Sequence, residues 1–133
     1  MEKNKVSIIT VVKNSSNTIE KTIKSVLDQK YKNLEYIIID GGSTDGTLEI
    51  IQKYKENISI LLSEKDDGIW DAMNKGINLA NSDLVGFLNS GDIYYLNALK
   101  TVNRYFLENQ IDFLFGSVQK YKLMHGYSPW KIN

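Results

Sequence analysis

At 133 residues the chain is long enough for one domain with a sizeable core and leaves little for a second. Sixteen basic residues balance sixteen acidic ones and no Lys/Arg stripe forms, which excludes strong electrostatic capture of nucleic acid. The absence of cysteine excludes disulfides and thiolate zinc sites and suits a reducing compartment, so the cytoplasm is the expected location.

Lys3 and Lys5 ahead of an apolar run superficially resemble a signal peptide. The run ends at Lys13-Asn14 without a small-residue cleavage site, so Val6 to Val12, rich in β-branched residues, reads as a first strand. No apolar segment approaches the roughly 20 residues that span a bilayer, although peripheral contact with the cytoplasmic face of a membrane stays open. After the polar loop Lys13 to Ser16, Asn17 with Glu20 forms a capping-box pattern, and Ile19, Ile23, Val26 and Leu27 share one helical face up to about Gln29. Glu35 to Asp40 is an apolar run without polar alternation, the mark of a strand buried on both faces, and it ends abruptly in Gly41-Gly42-Ser43-Thr44-Asp45-Gly46. A helix follows, capped by Ser43, Thr44 or Asp45, with Leu48, Ile51 and Tyr54 on one face.

Ile58 to Ser63 predicts a third strand that ends in Glu64-Lys65-Asp66-Asp67-Gly68. Ile69, Met73, Ile77 and Ala80 mark a third helix despite Gly76, a residue suited to close packing. Leu84 to Leu88 predicts strand four, Leu96, Leu99, Val102 and Phe106 a fourth helix, and Phe113 to Val118 a fifth strand. No period is evident after Tyr121. This alternation predicts a single α/β domain over residues 1–133, with a mostly parallel central sheet and helices on both faces.

The polar clusters fall after strands: Lys13-Asn14, Asp40-Gly41-Gly42, Glu64 to Asp67 and Asn89 to Asp92. In an open α/β sheet, ligands bind outside the carboxyl ends of the strands, so four separate stretches converge on one expected polar-ligand site. The first loop has no glycine and Gly-Lys-Ser/Thr is absent, which excludes a dinucleotide fingerprint and a phosphate loop. The same missing glycines argue against a methyltransferase-like domain. Gly-x-Ser-x-Gly is also absent, and the single His125 lies in the aperiodic tail, read as a surface residue. An ionised Asp40 accepts hydrogen bonds without donating, which suits a base N–H or a ribose hydroxyl better than a phosphate. Asp92 offers a hard oxygen to Mg²⁺ or Mn²⁺, or caps the next helix. Asp66, Asp67 and Asp71 serve a ligand or the helix dipole. Trp70 stacks on a ligand or belongs to the rim of the core.

Taken together, Val6 to Asn14, Asp40-Gly41-Gly42-Ser43-Thr44-Asp45-Gly46-Thr47, Asp67-Gly68-Ile69-Trp70-Asp71-Ala72-Met73-Asn74-Lys75-Gly76 and Phe87-Leu88-Asn89-Ser90-Gly91-Asp92 resemble family 2 glycosyltransferases with the Rossmann-like GT-A fold. The resemblance covers nearly the whole chain. It implies inverting transfer of a sugar from a nucleotide-diphosphate donor, UDP-linked in many members, to a glycan or lipid-linked acceptor in polysaccharide biosynthesis. By position it implies that Thr10, Val12, Asn14, Asp40, Gly42, Asp67, Asn89 and Ser90 bind the nucleotide and that Asp92 holds the divalent metal, Mg²⁺ or Mn²⁺. Where many members carry further acids this chain has Asn89 and Gly91, leaving Asp92 as the one carboxylate of that stretch. The carboxylate base of an inverting transferase is expected in a later acceptor-binding segment, beyond Asn133, and Asp112 reads as structural. The alternative expectation is a nucleotide-sugar-binding module, or a truncated fragment, without independent activity. Residues near Tyr127 to Trp130 are where a missing half or a partner would pack.

Overall fold

A computed structural model of the chain describes residues 4–123 and 127–131. Its elements run β1 (Val6–Val12), α1 (Ile19–Leu27), β2 (Leu34–Asp40), α2 (Thr47–Gln52), a 3-10 turn (Lys55–Asn57), β3 (Ile60–Ser63), α3 (Ile69–Leu79), β4 (Leu84–Phe87), α4 (Ala98–Glu108), β5 (Gln119–Leu123) and β6 (Tyr127–Lys131). The four strands β1 to β4 form one sheet in the order β3-β2-β1-β4, and every pairing in it is parallel. Parallel neighbours require crossover connections, and α1 to α3 supply them.

The apolar runs of β1 and β2 occupy the two central positions, buried on both faces. Side chains alternate across a strand, so Ile8, Val12, Tyr36 and Ile38 face one layer with Ile19, Ile23 and Val26 of α1, Ile51 of α2 and Leu99 of α4. Ile9, Val11, Ile37 and Ile39 face the other layer with Ala72 of α3. Helices thus cover both faces, as the unalternating sequence of β2 requires. Gly76 is buried where α3 crosses β1, and a Cβ there would collide with the side chain of Ile9. Its lack of a side chain is what lets helix and strand meet, the close packing expected of it.

Register sets the strand ends flush. Val12 pairs with Asp40, Asp40 pairs with Ser63, and the β1–β4 ladder continues past β4 through Leu88 N–H to Ile9 O (3.0 Å) and Ser90 N–H to Val11 O (3.2 Å). Four strands therefore deliver their loops to a single edge.

Several local expectations are corrected. Helix α1 begins after Thr18 with no side-chain cap, because Glu20 accepts the Tyr54 hydroxyl (2.6 Å) instead of closing a box with Asn17. In α2 the N-cap position is Gly46 with φ 95°, not Ser43, Thr44 or Asp45. The fifth strand is not at Phe113 to Val118, which forms no strand; Phe113 and Phe115 are 80% and 91% exposed and meet no apolar layer. Strand β5 begins at Gln119 and pairs antiparallel with β6 in a separate two-stranded sheet. Leu96 lies before α4 and is exposed, whereas Leu99 is buried as the helical period requires. His125 lies outside the described residues.

The opposite edge of the sheet is closed by a buried carboxylate. Glu35 accepts the Ser7 hydroxyl (2.5 Å), the Asn81 N–H (2.8 Å) and Lys5 Nζ (3.1 Å), tying β1, β2 and the turn before β4 together. Burial pushes its pKa up, but the Asn81, Ser7 and Lys5 donors outweigh this and hold it at about 2, below the ordinary 4.5. The depressed value means that its contribution is complete above the unfolded pKa and lost as pH falls through the folded one. Glu35→Gln should therefore cost about 2–3 kcal/mol at pH 7. In urea melts from pH 7 to pH 2.5, the gap to the parent should close between about pH 4.5 and 2; a gap independent of pH would contradict this role.

Candidate functional site

The carboxyl edge is built from the loops after β1, β2, β3 and β4. The first two are laced together. Asn14, in the left-handed region at φ 48°, gives its N–H to Ser43 Oγ (2.8 Å) and accepts the Thr44 N–H on Oδ1 (2.9 Å). Ser15 N–H reaches Thr47 Oγ1 (2.8 Å), and Ser16 N–H reaches Asp45 Oδ2 (3.1 Å). Asp45 also accepts the Thr47 hydroxyl (2.5 Å) and the Thr47 N–H (3.1 Å). The Thr47 hydroxyl, opposed by desolvation and joined by the Ser16 and Thr47 N–H groups, holds the Asp45 carboxyl at about 2.

Asp40 is wholly buried. Its carboxylate accepts the Ser43 hydroxyl (2.5 Å), the Ser43 N–H (3.1 Å) and the Ser63 hydroxyl (2.7 Å). It therefore shapes the β2 turn and joins it to β3. Thr10 is also wholly buried, its hydroxyl 3.0 Å from the Tyr36 hydroxyl within the core. Val12 is buried at the end of β1. Gly42, at φ 79°, lies exposed in the β2 turn and supplies a backbone conformation that side chains disfavour.

After β3 the chain is braced by charge. Lys75 of α3 bonds Glu64 Oε1 (2.9 Å) and Asp71 Oδ2 (3.0 Å), and Asp71 accepts the Asp67 N–H (3.1 Å). The Glu64 bond and then the Asp71 bond raise the Lys75 pKa. The Asp67 N–H, followed by Lys75, lowers that of Asp71. Asp66 accepts the Gly68 N–H (3.1 Å), and Asp67 itself is exposed.

The β4 loop is held from beneath by a polar stripe on α1 that continues to Gln29 just past its end. Thr22 donates to the Asp92 carbonyl (2.8 Å) and accepts the Gly91 N–H (3.1 Å). Ser25 Oγ accepts the Tyr94 N–H (3.1 Å), and Gln29 donates to Tyr95 O (2.9 Å) while accepting the Leu99 N–H (3.2 Å). These contacts fix the backbone and leave Asp92 exposed to solvent. Ser90 Oγ lies 3.4 Å from Thr18 Oγ1. Among the described residues, the buried Asn89 Oδ1 has no hydrogen-bond partner. Asn89 and Asp92 are joined in one turn by the Asp92 N–H to Asn89 O bond (3.0 Å). An orphaned amide oxygen and a carboxylate in one turn are the hard donors that Mg²⁺ or Mn²⁺ prefers, and a nucleotide's phosphates and water would complete the shell. No group of three or more His, Cys, Asp or Glu among the described residues could hold a metal alone. The residues fit a cation shared with a substrate.

The structure thus brings Asn14, Gly42, Asp67, Asn89, Ser90 and Asp92 to one edge and places Thr10, Val12 and Asp40 behind it. Sequence reasoning missed Thr22, Ser25 and Gln29. Their signal was a polar i, i+3, i+7 series beside the apolar face of α1.

A parallel sheet of this order with a polar carboxyl edge is the frame of the GT-A nucleotide-sugar transferases. A profile described as Glycosyl transferase family 2 matches residues 7–133, and the chain belongs to that family. It is 37% identical over 113 residues to the Bacillus subtilis putative teichuronic acid biosynthesis glycosyltransferase TuaG, covering 83% of this chain and 45% of that protein. It is 33% identical over 115 residues to the Escherichia coli UDP-Glc:alpha-D-GlcNAc-diphosphoundecaprenol beta-1,3-glucosyltransferase WfgD, covering 86% and 46%. The crystal structure of S. aureus TarS 1-349 in complex with UDP-GlcNAc superimposes with a TM-score of 0.73 at 27% identity, over 78% of this chain and 31% of that one. The chain spans about half the length of these curated relatives. No helix among the described residues is long and apolar enough to cross a membrane.

If Asp45 locks the first two loops together, Asp45→Ala should speed hydrogen exchange at the Ser16 and Thr47 amides by at least roughly tenfold while core amides of β2 keep their protection. Unchanged exchange at both amides would show that the lock is unnecessary.

Proposed function

We propose that this chain forms the donor-binding part of an inverting glycosyltransferase. The donor is a nucleotide-diphosphate sugar, UDP-linked by preference, and the acceptor is a glycan or a lipid-linked saccharide of polysaccharide biosynthesis. The observation that carries this reading is the Asn89–Asp92 turn, where a residue with a buried, unpartnered oxygen and one with an exposed carboxylate share a single turn at the strand edge. The TarS complex with UDP-GlcNAc and the name of WfgD, with its UDP-Glc donor and diphosphoundecaprenol-linked acceptor, support the donor and acceptor classes.

In this reading the nucleoside lies across the ends of β1 and β2. Asn14 and Gly42 line its outer side, and Thr10 and Val12 form the floor. Asp40 waits behind Ser43, whose hydroxyl occupies the carboxylate where a base N–H or ribose hydroxyl would bind once that hydroxyl turns away. Asp67 closes over the nucleotide from the loop before α3. Asn89 and Ser90 face the diphosphate, and Asp92, with Asn89, would hold Mg²⁺ or Mn²⁺. The cation would offset the negative charge that builds on the departing diphosphate. Transfer with inversion forms one bond from an acceptor oxygen to the anomeric carbon as the bond to the diphosphate breaks. The acceptor proton passes to a carboxylate base, a role given to none of the described residues.

Calorimetric titration with UDP should show binding that Mn²⁺ strengthens. Asp40→Asn should weaken it roughly tenfold with or without the metal. Asp92→Ala should abolish the metal-dependent gain and leave metal-free binding intact. Equal affinity of the parent and both variants under every condition would sink the assignment.

A further inference from the structure

Helix α3 carries an exposed aromatic residue that the donor site does not use. Trp70, in its first turn, is 76% exposed, although a tryptophan contributes one of the largest apolar areas of any side chain. Its direction follows from helical geometry, in which each residue advances by about 100°. Ala72 and Gly76 are the buried positions of α3 and face the sheet. Asp71 and Lys75 project to the flank that reaches Glu64 at the end of β3. Trp70 and Ile77, seven residues apart, share the opposite flank, which lies toward β1 and β4.

Among the described residues, the sheet on that side is partly open. Phe87 pairs with Ile9 and so shares the α3 face of the sheet. At the outer strand β4, beyond the reach of α3, Val85 and Phe87 remain 45% and 39% exposed. Asn89 follows Phe87 by two residues, and the ladder continues through Leu88 and Ser90. The strand period therefore puts Asn89 on this same face. Trp70 thus flanks a shallow apolar step that runs up to the turn holding Asn89 and Asp92. The loop that carries it is braced by the Lys75–Glu64 and Lys75–Asp71 pairs and by the Asp67 and Gly68 N–H bonds.

We propose that Trp70 is the acceptor platform, on which a pyranose ring of the acceptor saccharide stacks beside the Asn89–Asp92 turn. A pyranose presents an apolar C–H face and a rim of hydroxyls. An exposed indole matches that face. The nucleoside is the less suitable occupant, because Asn14 and Gly42 lie at the ends of β1 and β2, whereas Trp70 leans toward β4. The proposal rests on the donor reading above and adds the second substrate to it.

The test labels the protein with 5-fluorotryptophan, whose two resonances are assigned with Trp70→Phe and Trp130→Phe, the chain holding two tryptophans. With UDP and Mn²⁺ present, a panel of gluco-, galacto- and N-acetylhexosamine mono- and disaccharides is titrated. At least one saccharide should move the Trp70 resonance saturably, and Trp70→Ala should weaken its binding roughly tenfold while leaving UDP affinity unchanged. If UDP binds normally but no saccharide moves that resonance, the platform is overturned and the donor reading stands. A tenfold loss of UDP affinity in Trp70→Ala would assign the indole to the nucleotide and also overturn it. If UDP fails to bind the parent, the donor reading itself falls.

Discussion

The buried carboxylate of Asp40 is the constraint around which the carboxyl edge is assembled. A carboxyl group without solvent contact is tolerated only when hydrogen-bond partners replace the lost water. Here the donors come from Ser43, three residues on, and from Ser63 on the neighbouring strand. The parallel register that pairs Asp40 with both Val12 and Ser63 is what makes this possible. Shifting β2 by one residue would turn Asp40 to the opposite layer, with Ile9, Val11 and Ala72, and take it from its Ser63 donor. The same register that sets the hydrophobic layers thus sets the position of the polar loops.

From that edge the site is held by bonds that cross between loops. Asn14 and Asp45 bind the first loop to the second, Lys75 binds the third to α3, and the polar stripe of α1 binds the fourth. Most of these contacts end on backbone groups. Consequently the exposed side chains that face solvent, Asp67, Asp92 and Trp70, stand on a pre-set frame, and little ordering remains when a ligand arrives. Asn89 is the exception inside the frame, a buried oxygen left without a donor. Such an atom is costly unless something else meets it, which makes the β4 turn the place where a bound cation would stabilise the protein.

Much of this was legible in the residues. The unbroken apolar run of β2 announced a central strand, the apolar periods of α1, α3 and α4 marked helices packed on a sheet, and the polar clusters after each strand marked the edge where they meet. Less legible were the partners of polar atoms. Asn17 and Glu20 have capping-box spacing, yet the hydroxyl of Tyr54 takes the glutamate, a competitor 34 residues away. Ser43, Thr44 and Asp45 all suit a helix cap, but Ser43 and Thr44 bond to Asp40 and the first loop, and Asp45, one residue before the N-cap Gly46, divides its oxygens between Ser16 and Thr47. Phe113 to Val118 has strand composition and no neighbouring strand to pair with, and pairing is what makes a strand.

By itself the sequence determined the layer order, the burial of β2 on both faces and the gathering of Asn14, Asp40, Asp67 and Asp92 at strand ends, because period and β-branching are local properties of the chain. The sheet-facing side of α3 was misread, since Ala72 and Gly76 are buried there while Ile69 and Ile77 are exposed. Tertiary structure decided which of those groups face solvent. It buried Thr10 and Asp40 behind the edge, left Asn89 Oδ1 without a partner, and left Trp70 exposed. Those outcomes depend on which strand lies next to which, and strand order is a long-range choice that no local window of residues contains.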